Sequence, residues 1–496
     1  MPTRRGARRK RDARPRSRGR REAGRTVAVW EDDPGAPDGP PSAPVIVAEP
    51  TPGARPLPFR ITGRAPAPDV YPPGAPGFRF YAAAAALRRT ADFWGRVAGA
   101  ALSWQVGLVL PVHLDEGVDL NAFYTRGGFG SEPGLHFFHE RVASRTYFSG
   151  ESPDILSHEM GHAVLDAIRP QLFDAQSIEA AAFHEAFGDM SAILSALQVP
   201  SFRDAVLRDT QGALNRSSRL SRLAEQLGFA IRVRHPDAVD PDCLRNAANS
   251  FFYRDPQTLP PSAPASQLSS EPHSFSRVFT AAFLDALAAV FRAKGSPASS
   301  DALLRTTEDV AQLLVAAARE APIVPDYFSQ VAAHMIDAGE RPPVSGAYRA
   351  ALKGAFVRRG ILSLSGALAV TARPRGRRRA APAPAPAARP LPRAAIAGAQ
   401  YGLQDLVLTV FTAEDPKRFA VTSSSSQLGP VEPRSAQHAA EAFTEDLFQR
   451  GHVDLGPYAR ADDGAAHPLS MKTHVVVREG DSLVLRRRLF DCGFHA

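Results

Sequence analysis

The chain has 496 residues, of which 44% are hydrophobic and 22% are charged, and its formal net charge is +8. The length allows two or three domains, and the composition is ordinary for a globular protein with a large core. No stretch of about 18 uninterrupted apolar residues is present, so we expect no transmembrane helix.

The positive charge lies mainly in a tail. Residues 1–25 hold twelve Lys and Arg against Asp12 and Glu22, so the rest of the chain is close to neutral. The charge therefore predicts at most weak, nonspecific binding of the tail to anionic surfaces. No apolar segment of a signal peptide follows the basic residues, and two cysteines suggest no disulfide framework. We expect a cytoplasmic protein.

Residues 1–77, first Arg-rich and then Pro-rich, are predicted to be a disordered tail. Order is expected from residue 78, with an amphipathic helix over 81–101 and strands over 106–113, 135–138 and 146–148. The pattern then becomes helical, and the predicted helices are 153–168, 178–198, 203–226, 274–294, 301–319, 326–337 and 346–358.

Arg, Pro and Ala residues dominate 366–395, which predicts a linker. Behind it, 396–496 is predicted to form a small α+β domain of unknown role, with a strand over 406–411, a helix over 436–450 and a hairpin pairing 473–478 with 482–487. The ordered part before the linker, 78–365, combines a short β-containing lobe with a helical lobe. The fold class expected for the whole chain is α+β.

A candidate metal site begins with the run Ser-His-Glu-Met-Gly-His at 157–162. Residues four apart share a helix face, so His158 and His162 can direct two imidazoles at one ion, as tetrahedral zinc requires. Glu159 lies beside the open coordination position, where it can take a proton from a metal-bound water whose pKa zinc lowers to about 7. A helix with two surface histidines is the simpler reading of this run alone.

A second helix strengthens the metal-site interpretation. Glu185 and Asp189 are four residues apart on it, so one carboxylate can be the third ligand while the other orients a ligating imidazole. His184 is about 100° round the helix from Glu185 and is expected to face elsewhere. Three protein ligands with an open fourth position are typical of a catalytic zinc site.

With these motifs the chain resembles the thermolysin-like zinc metallopeptidases whose third ligand is glutamate. The resemblance extends over about 78–362, and it implies a thermolysin-like fold in which Glu185 binds zinc and Asp189 bonds a ligating histidine. Upstream, the run at 121–124 looks like the edge-strand segment of the family. It implies that the Asn121 side chain and the Ala122 carbonyl hold the substrate backbone.

Three downstream positions also follow from the resemblance. Arg245 should bond a substrate carbonyl, and Leu244 should line, with Ile155, the pocket for the residue after the scissile bond. His273 should be the second catalytic histidine, stabilising the oxyanion.

The departures from the family are equally specific. Phe173 stands where the family has a tyrosine that donates to the oxyanion, which implies activity lower by about 10–10². The acidic calcium cluster is missing apart from Asp154, so we expect one catalytic zinc ion and no structural calcium.

The function expected from these residues is that of a zinc-dependent neutral endopeptidase, with Glu159 as general base and His273 as oxyanion stabiliser, acting as a monomer on peptides or proteins. The main alternative is a zinc-containing peptide-binding module with little or no turnover. An aminopeptidase is less favoured, because no Gly-x-Met-Glu-Asn-type segment for amine recognition is present.

Overall fold

The computed structural model describes residues 25–35, 42–99, 102–294, 298–341, 348–371, 390–403, 407–415, 435–459 and 472–493. The Arg-rich residues 1–24 and residues 372–389 of the predicted linker lie outside the described residues. Helices and strands both occur in the described chain, so the α+β class is confirmed.

The N-terminal region contains three short strands, β1 (Thr26–Val29), β2 (Val45–Ala48) and β3 (Phe59–Ile61). β1 and β2 form an antiparallel pair, and β1 is buried against the helix that follows. The prediction of disorder over 1–77 is therefore wrong for the described residues of that range. Each apolar run is only a few residues long, so the Pro-rich average conceals it, and burial against a partner orders it.

The next elements of the first lobe are α1 (Pro76–Ala98), β4 (Leu110–His113), β5 (Ala122–Thr125), β6 (Gly134–Phe137), β7 (His139–Val142) and β8 (Arg145–Phe148). In this sheet β5 pairs with β6, β6 with β4, and β4 with β3. β7 and β8 form a separate hairpin.

The helical lobe is made of α2 (Pro153–Ile168), α3 (Gln171–Asp174), α4 (Ile178–Ala196), α5 (Pro200–Thr210), α6 (Glu225–Arg234), α7 (Pro272–Ala293), α8 (Ser300–Glu320), α9 (Tyr327–Ala338), α10 (Arg349–Arg358) and α11 (Leu364–Thr371). The lobe also contains an antiparallel two-stranded ladder of β9 (Arg222–Leu223) and β10 (Arg245–Asn246). Every residue of α4 is buried, which places it at the centre of the lobe.

The single helix predicted over 203–226 is wrong. α5 ends at Thr210 because Gln211 and Gly212 both adopt positive φ, 51° and 81°, which a continuing helix does not allow. A loop and β9 then precede α6.

One helix, α7, is long and apolar enough to cross a membrane, and most of it is buried inside the protein. Core helices meet the same criterion, so this finding is weak evidence for a span. No other helix in the described part of the chain meets this criterion.

The C-terminal region contains β11 (Arg393–Ala397), β12 (Val407–Phe411), α12 (Ala436–Gln449), β13 (Val453–Asp454), β14 (His474–Glu479), β15 (Ser482–Arg487) and β16 (Leu489–Asp491). Five of these strands form one sheet in the order β11-β12-β15-β14-β13, and the predicted hairpin is confirmed as β14 and β15.

β16 does not belong to that sheet. It pairs antiparallel with β5 of the first lobe, with Leu489 opposite Thr125 and Asp491 opposite Phe123. The predicted boundary of a separate domain at 396–496 is therefore wrong at its C-terminal end, because three residues of this region complete the sheet of the first lobe. The predicted linker 366–395 is also too long, since α11 extends to Thr371 and β11 begins at Arg393.

Candidate metal centre

The two histidines of the candidate site lie on α2, one turn apart. Pro153 begins this helix, and the Ser152 side chain accepts a hydrogen bond from the Ile155 N–H at its N-terminus. The rings of His158 and His162 are 4.8 Å apart between centroids, and both residues are at least 95% buried. A helix turn thus presents two imidazoles on the same face.

Glu185 on α4 supplies a carboxylate to the same point. Its Oε2 is 3.4 Å from Nε2 of His158, and its Oε1 is 3.7 Å from Nε2 of His162. The structure therefore brings together the three residues that the sequence predicts as ligands.

A fourth side chain, Cys492, completes the group. Its Sγ lies 3.3 Å from Nε2 of His158, 3.4 Å from Nε2 of His162 and 3.9 Å from Oε2 of Glu185. A tetrahedral ion with bonds of ~2.0–2.3 Å holds its ligand atoms roughly 3.3–3.8 Å apart, close to these separations. The four buried side chains form a group able to hold a metal ion.

Sequence reasoning missed Cys492. The signal that could have found it is the residue type, because the chain has only two cysteines and sulfur joins two imidazoles in many zinc sites. Nothing local ties the residue to the histidines, which are more than 300 positions away.

Asp189 orients His158. The Nδ1–H of that imidazole donates to Oδ1 of Asp189 at 3.1 Å, which leaves the Nε2 lone pair directed at the ligand group. Arg245 donates to the same oxygen at 2.8 Å. Burial alone would raise the pKa of Asp189, but Arg245 and His158 outweigh it and hold the pKa at about 2.

His184 stands behind the second ligand. Its Nδ1 is 3.3 Å from Nδ1 of His162, so one ring donates to the other, and its ring lies outside the ligand group. Burial lowers the pKa of His162 to about 3 and the pKa of His184 well below its usual value. The lowered pKa of His162 favours the neutral imidazole, the state in which a histidine binds a metal.

Glu159, the predicted general base, is fully buried beside the ligands. Among the described residues no group donates a hydrogen bond of normal geometry to either of its carboxylate oxygens. Burial raises the pKa of Glu159 to about 7, and a bound divalent cation would lower that pKa again. A buried carboxylate in this state is costly for folding, which is typical of a functional site.

His273, at the start of α7, reaches the same centre. Its Nε2 is 3.1 Å from Oε2 of Glu185, and its Nδ1 is 2.7 Å from Oε1 of Glu271. Burial opposes its charge, but Glu185 and Glu271 together raise the pKa of His273 well above its usual value. The residue is thus held as a donor facing the ligand group.

The predicted pocket residues also converge. Ile155, Leu244 and Arg245 line a small cavity of about 20 Å³ with Leu227, and Cys492 closes one side of it. A larger cavity of about 320 Å³ extends from Glu185 and His273 to α12, and its far wall includes Asp446 and Arg450. The C-terminal region therefore forms one wall of the site.

Asn121 and Ala122, predicted to hold substrate, lie at the start of β5, whose outer edge is already paired. The Ala122 carbonyl accepts a hydrogen bond from the Cys492 N–H at 3.0 Å. Phe173 does not face the ligand group directly, because it packs edge-on against Phe490 at 5.4 Å, and Phe490 stacks on His162 at 4.9 Å.

A second group of possible ligands, His113, Glu116 and His136, lies in the first lobe. The two imidazoles stack with their planes 6° apart, so their in-plane lone pairs do not meet at one point. No protein-family model matches the chain, and a search of curated proteins finds no match.

Proposed function

We propose that the chain is a zinc-dependent endopeptidase with a thermolysin-like catalytic domain. The observation that carries this proposal is the position of Glu159, a buried carboxylate beside three convergent ligands on two helices, α2 and α4, that pack against each other. A purely structural metal site has no use for a buried carboxylate of this kind.

The donor atoms favour zinc. Two imidazole nitrogens, one carboxylate and one sulfur within 4.8 Å of one another suit a borderline-soft, tetrahedral ion. Calcium and magnesium prefer sites built from oxygen alone. When bound, zinc lowers the pKa of a water molecule towards 7 and polarises a carbonyl group.

The residues of the chain then have distinct tasks. Glu159 takes the proton from the attacking water and passes it to the leaving amine. His273 donates to the negative charge that develops on the substrate carbonyl oxygen. The outer edge of β5, which β16 occupies, would hold an extended peptide once β16 leaves, and Ile155 and Leu244 would contact an apolar side chain of that peptide.

A second candidate is a closed, non-catalytic site in a peptide-binding module. Cys492 supports it, because four protein ligands are typical of structural zinc sites. Phe173 also supports it, because a phenylalanine cannot donate the hydrogen bond that a tyrosine would. The two candidates differ in turnover.

The test uses the Cys492→Ala variant, because it opens the fourth ligand position. With one equivalent of zinc we expect this variant to cleave an N-terminally blocked peptide library, which an aminopeptidase could not do. Adding Glu159→Gln should retain the zinc and lower the rate by about 10²–10⁴.

Glu140→Gln in the same background is the matched control, because Glu140 pairs with Arg234 in the β7–β8 region, outside the ligand group. It should leave the rate unchanged. Zinc-replete Cys492→Ala protein that binds peptides and cleaves none would refute the endopeptidase and select the binding module.

A further inference from the structure

The last described strand occupies the place that the proposed function gives to a substrate. β16 runs antiparallel along the outer edge of β5, and the Ala122 carbonyl accepts the N–H of Cys492. At the other end of the pairing, the Thr125 hydroxyl donates to the Arg488 carbonyl at 2.6 Å. β5 has no open edge while these bonds persist.

The side chains of this segment also fill the site. Phe490 stacks on His162 and, at 3.9 Å, on His184. Two residues further along the chain, Sγ of Cys492 lies 3.3 Å from Nε2 of His158 and 3.4 Å from Nε2 of His162. The sulfur therefore stands at the position that an open catalytic site keeps for water.

The fit at the end of the segment is close. A Cβ added to Gly493 would lie 2.4 Å from Cγ of Asn121, so only glycine allows the backbone to approach this buried side chain. Three features thus occur together: a strand bonded to β5, a sulfur among three ligands, and a glycine against Asn121. Ordinary core packing does not require this combination.

We propose that the chain inhibits its own metal centre: residues 489–493 lie on β5 as an internal peptide, and the thiolate of Cys492 is the fourth ligand of the ion. This inference rests on the proposed function, and it adds how that function is controlled. Since the segment is tethered, its effective concentration is in the millimolar range, so peptides compete poorly with it. Hydrolysis requires that the segment leave β5.

The first test identifies the ligand without measuring activity. Full-length protein is loaded with Co²⁺, and a thiolate ligand is expected to give an intense near-ultraviolet charge-transfer band. Cys492→Ala should lose the band, whereas Cys243→Ser should keep it, because Cys243 is the other buried free cysteine and is not in the ligand group. Absence of the band from the wild type overturns the proposal, whatever the activity.

The second test measures inhibition with zinc-loaded full-length proteins and a peptide library. Cys492→Ala removes the sulfur and keeps the strand, and it should cleave at least about 10-fold faster than the wild type. Gly493→Val keeps the sulfur and forces the segment away from Asn121, so it should also be faster. Equal rates in all three proteins overturn the proposal.

The two tests separate this inference from the proposed function. A band in the wild type together with faster hydrolysis in both variants supports both. A band with no hydrolysis in any zinc-replete variant retains the sulfur ligand but refutes the hydrolase and, with it, the inhibition. Loss of metal from Cys492→Ala refutes the inhibition too, since the sulfur would then be structural.

Discussion

At the scale of single residues, Asp189 determines the orientation of the His158 imidazole towards the ion. It accepts the Nδ1–H of His158 and is itself held by Arg245, so it fixes both the tautomer and the direction of Nε2. We predict that Asp189→Asn lowers zinc affinity by about 10–100-fold, measured by competition with a chromophoric chelator.

Asp285→Asn is the control for this substitution, because Asp285 is also buried and also pairs with an arginine, Arg359, outside the ligand group. Both variants leave a partly buried guanidinium without its partner, so both should lose stability. Only Asp189→Asn should lose zinc affinity, and equal zinc affinity in the two variants would contradict the orienting role.

Glu151, between β8 and α2, predicts a dependence of stability on pH. Burial raises the pKa of Glu151 to about 7, more than Arg79 lowers it. Because the pKa in the folded state is above the unfolded value, the folded state holds the proton more tightly. The stabilisation is complete below about pH 4.5 and is lost as the pH rises to about 7, at a cost on the order of 3 kcal/mol.

The measurement is the urea midpoint at pH 5 and pH 8. Glu151→Gln cannot ionise, so the variant should lose less stability between these two pH values than the wild type. Glu140→Gln, at the surface beside Arg234, should keep the wild-type difference. If Glu151→Gln changed its urea midpoint between pH 5 and pH 8 as much as the wild type does, other groups would be responsible for the pH dependence.

At the scale of elements, the metal centre depends on how closely α2 and α4 approach. A Cβ on Gly188 would lie 2.6 Å from Nδ1 and Cε1 of His158, and a Cβ on Gly161 would lie 2.9 Å from Cα of Gly188. The two glycines thus let the helices meet at the ligand position.

We predict that Gly188→Ala lowers zinc affinity by more than about 10-fold and lowers the free energy of unfolding by about 1–3 kcal/mol, because it displaces the His158 ring. Gly354→Ala in α10 is the control. Apart from the backbone of its own helix and its chain neighbours, no atom lies within 4 Å of its added Cβ, so this variant should be more stable by about 0.5–1 kcal/mol. Unchanged zinc binding in Gly188→Ala would refute the close-approach argument.

Elements with a strong local pattern could be predicted from the sequence. The helix predicted over 153–168 is confirmed as Pro153–Ile168, and the predicted hairpin is confirmed with its first strand, β14, shifted by one residue. Apolar periodicity and turn residues are encoded within such segments. β16 has three residues, and only its pairing with β5 makes it a strand.

At the scale of the whole molecule, the candidate centre joins parts of the chain that local patterns cannot connect. His158, His162 and Glu185 were predictable because helical spacing within two neighbouring helices fixes their faces. Cys492 was not, since its place depends on a sheet that crosses from the C-terminal region to the first lobe. The N-terminal strands β1 and β2 were missed for a different reason, since their apolar runs are only four residues long and burial against α1 orders them.

A metal ion in this group would therefore connect the C-terminal region to the helical lobe, and it should stabilise the whole fold. Binding at a concentration about 1,000 times the dissociation constant adds about 4 kcal/mol to the free energy of unfolding.

We predict that chelation lowers the thermal midpoint of the wild type by several degrees. The thermal midpoint of Cys492→Ala should decrease less on chelation, because this variant keeps only three ligands and binds the ion more weakly. Cys243→Ser, with all four ligands, should respond like the wild type. Equal losses in Cys492→Ala and the wild type, with metal removal verified in both, would mean that the sulfur does not couple the C-terminal strand to the ion.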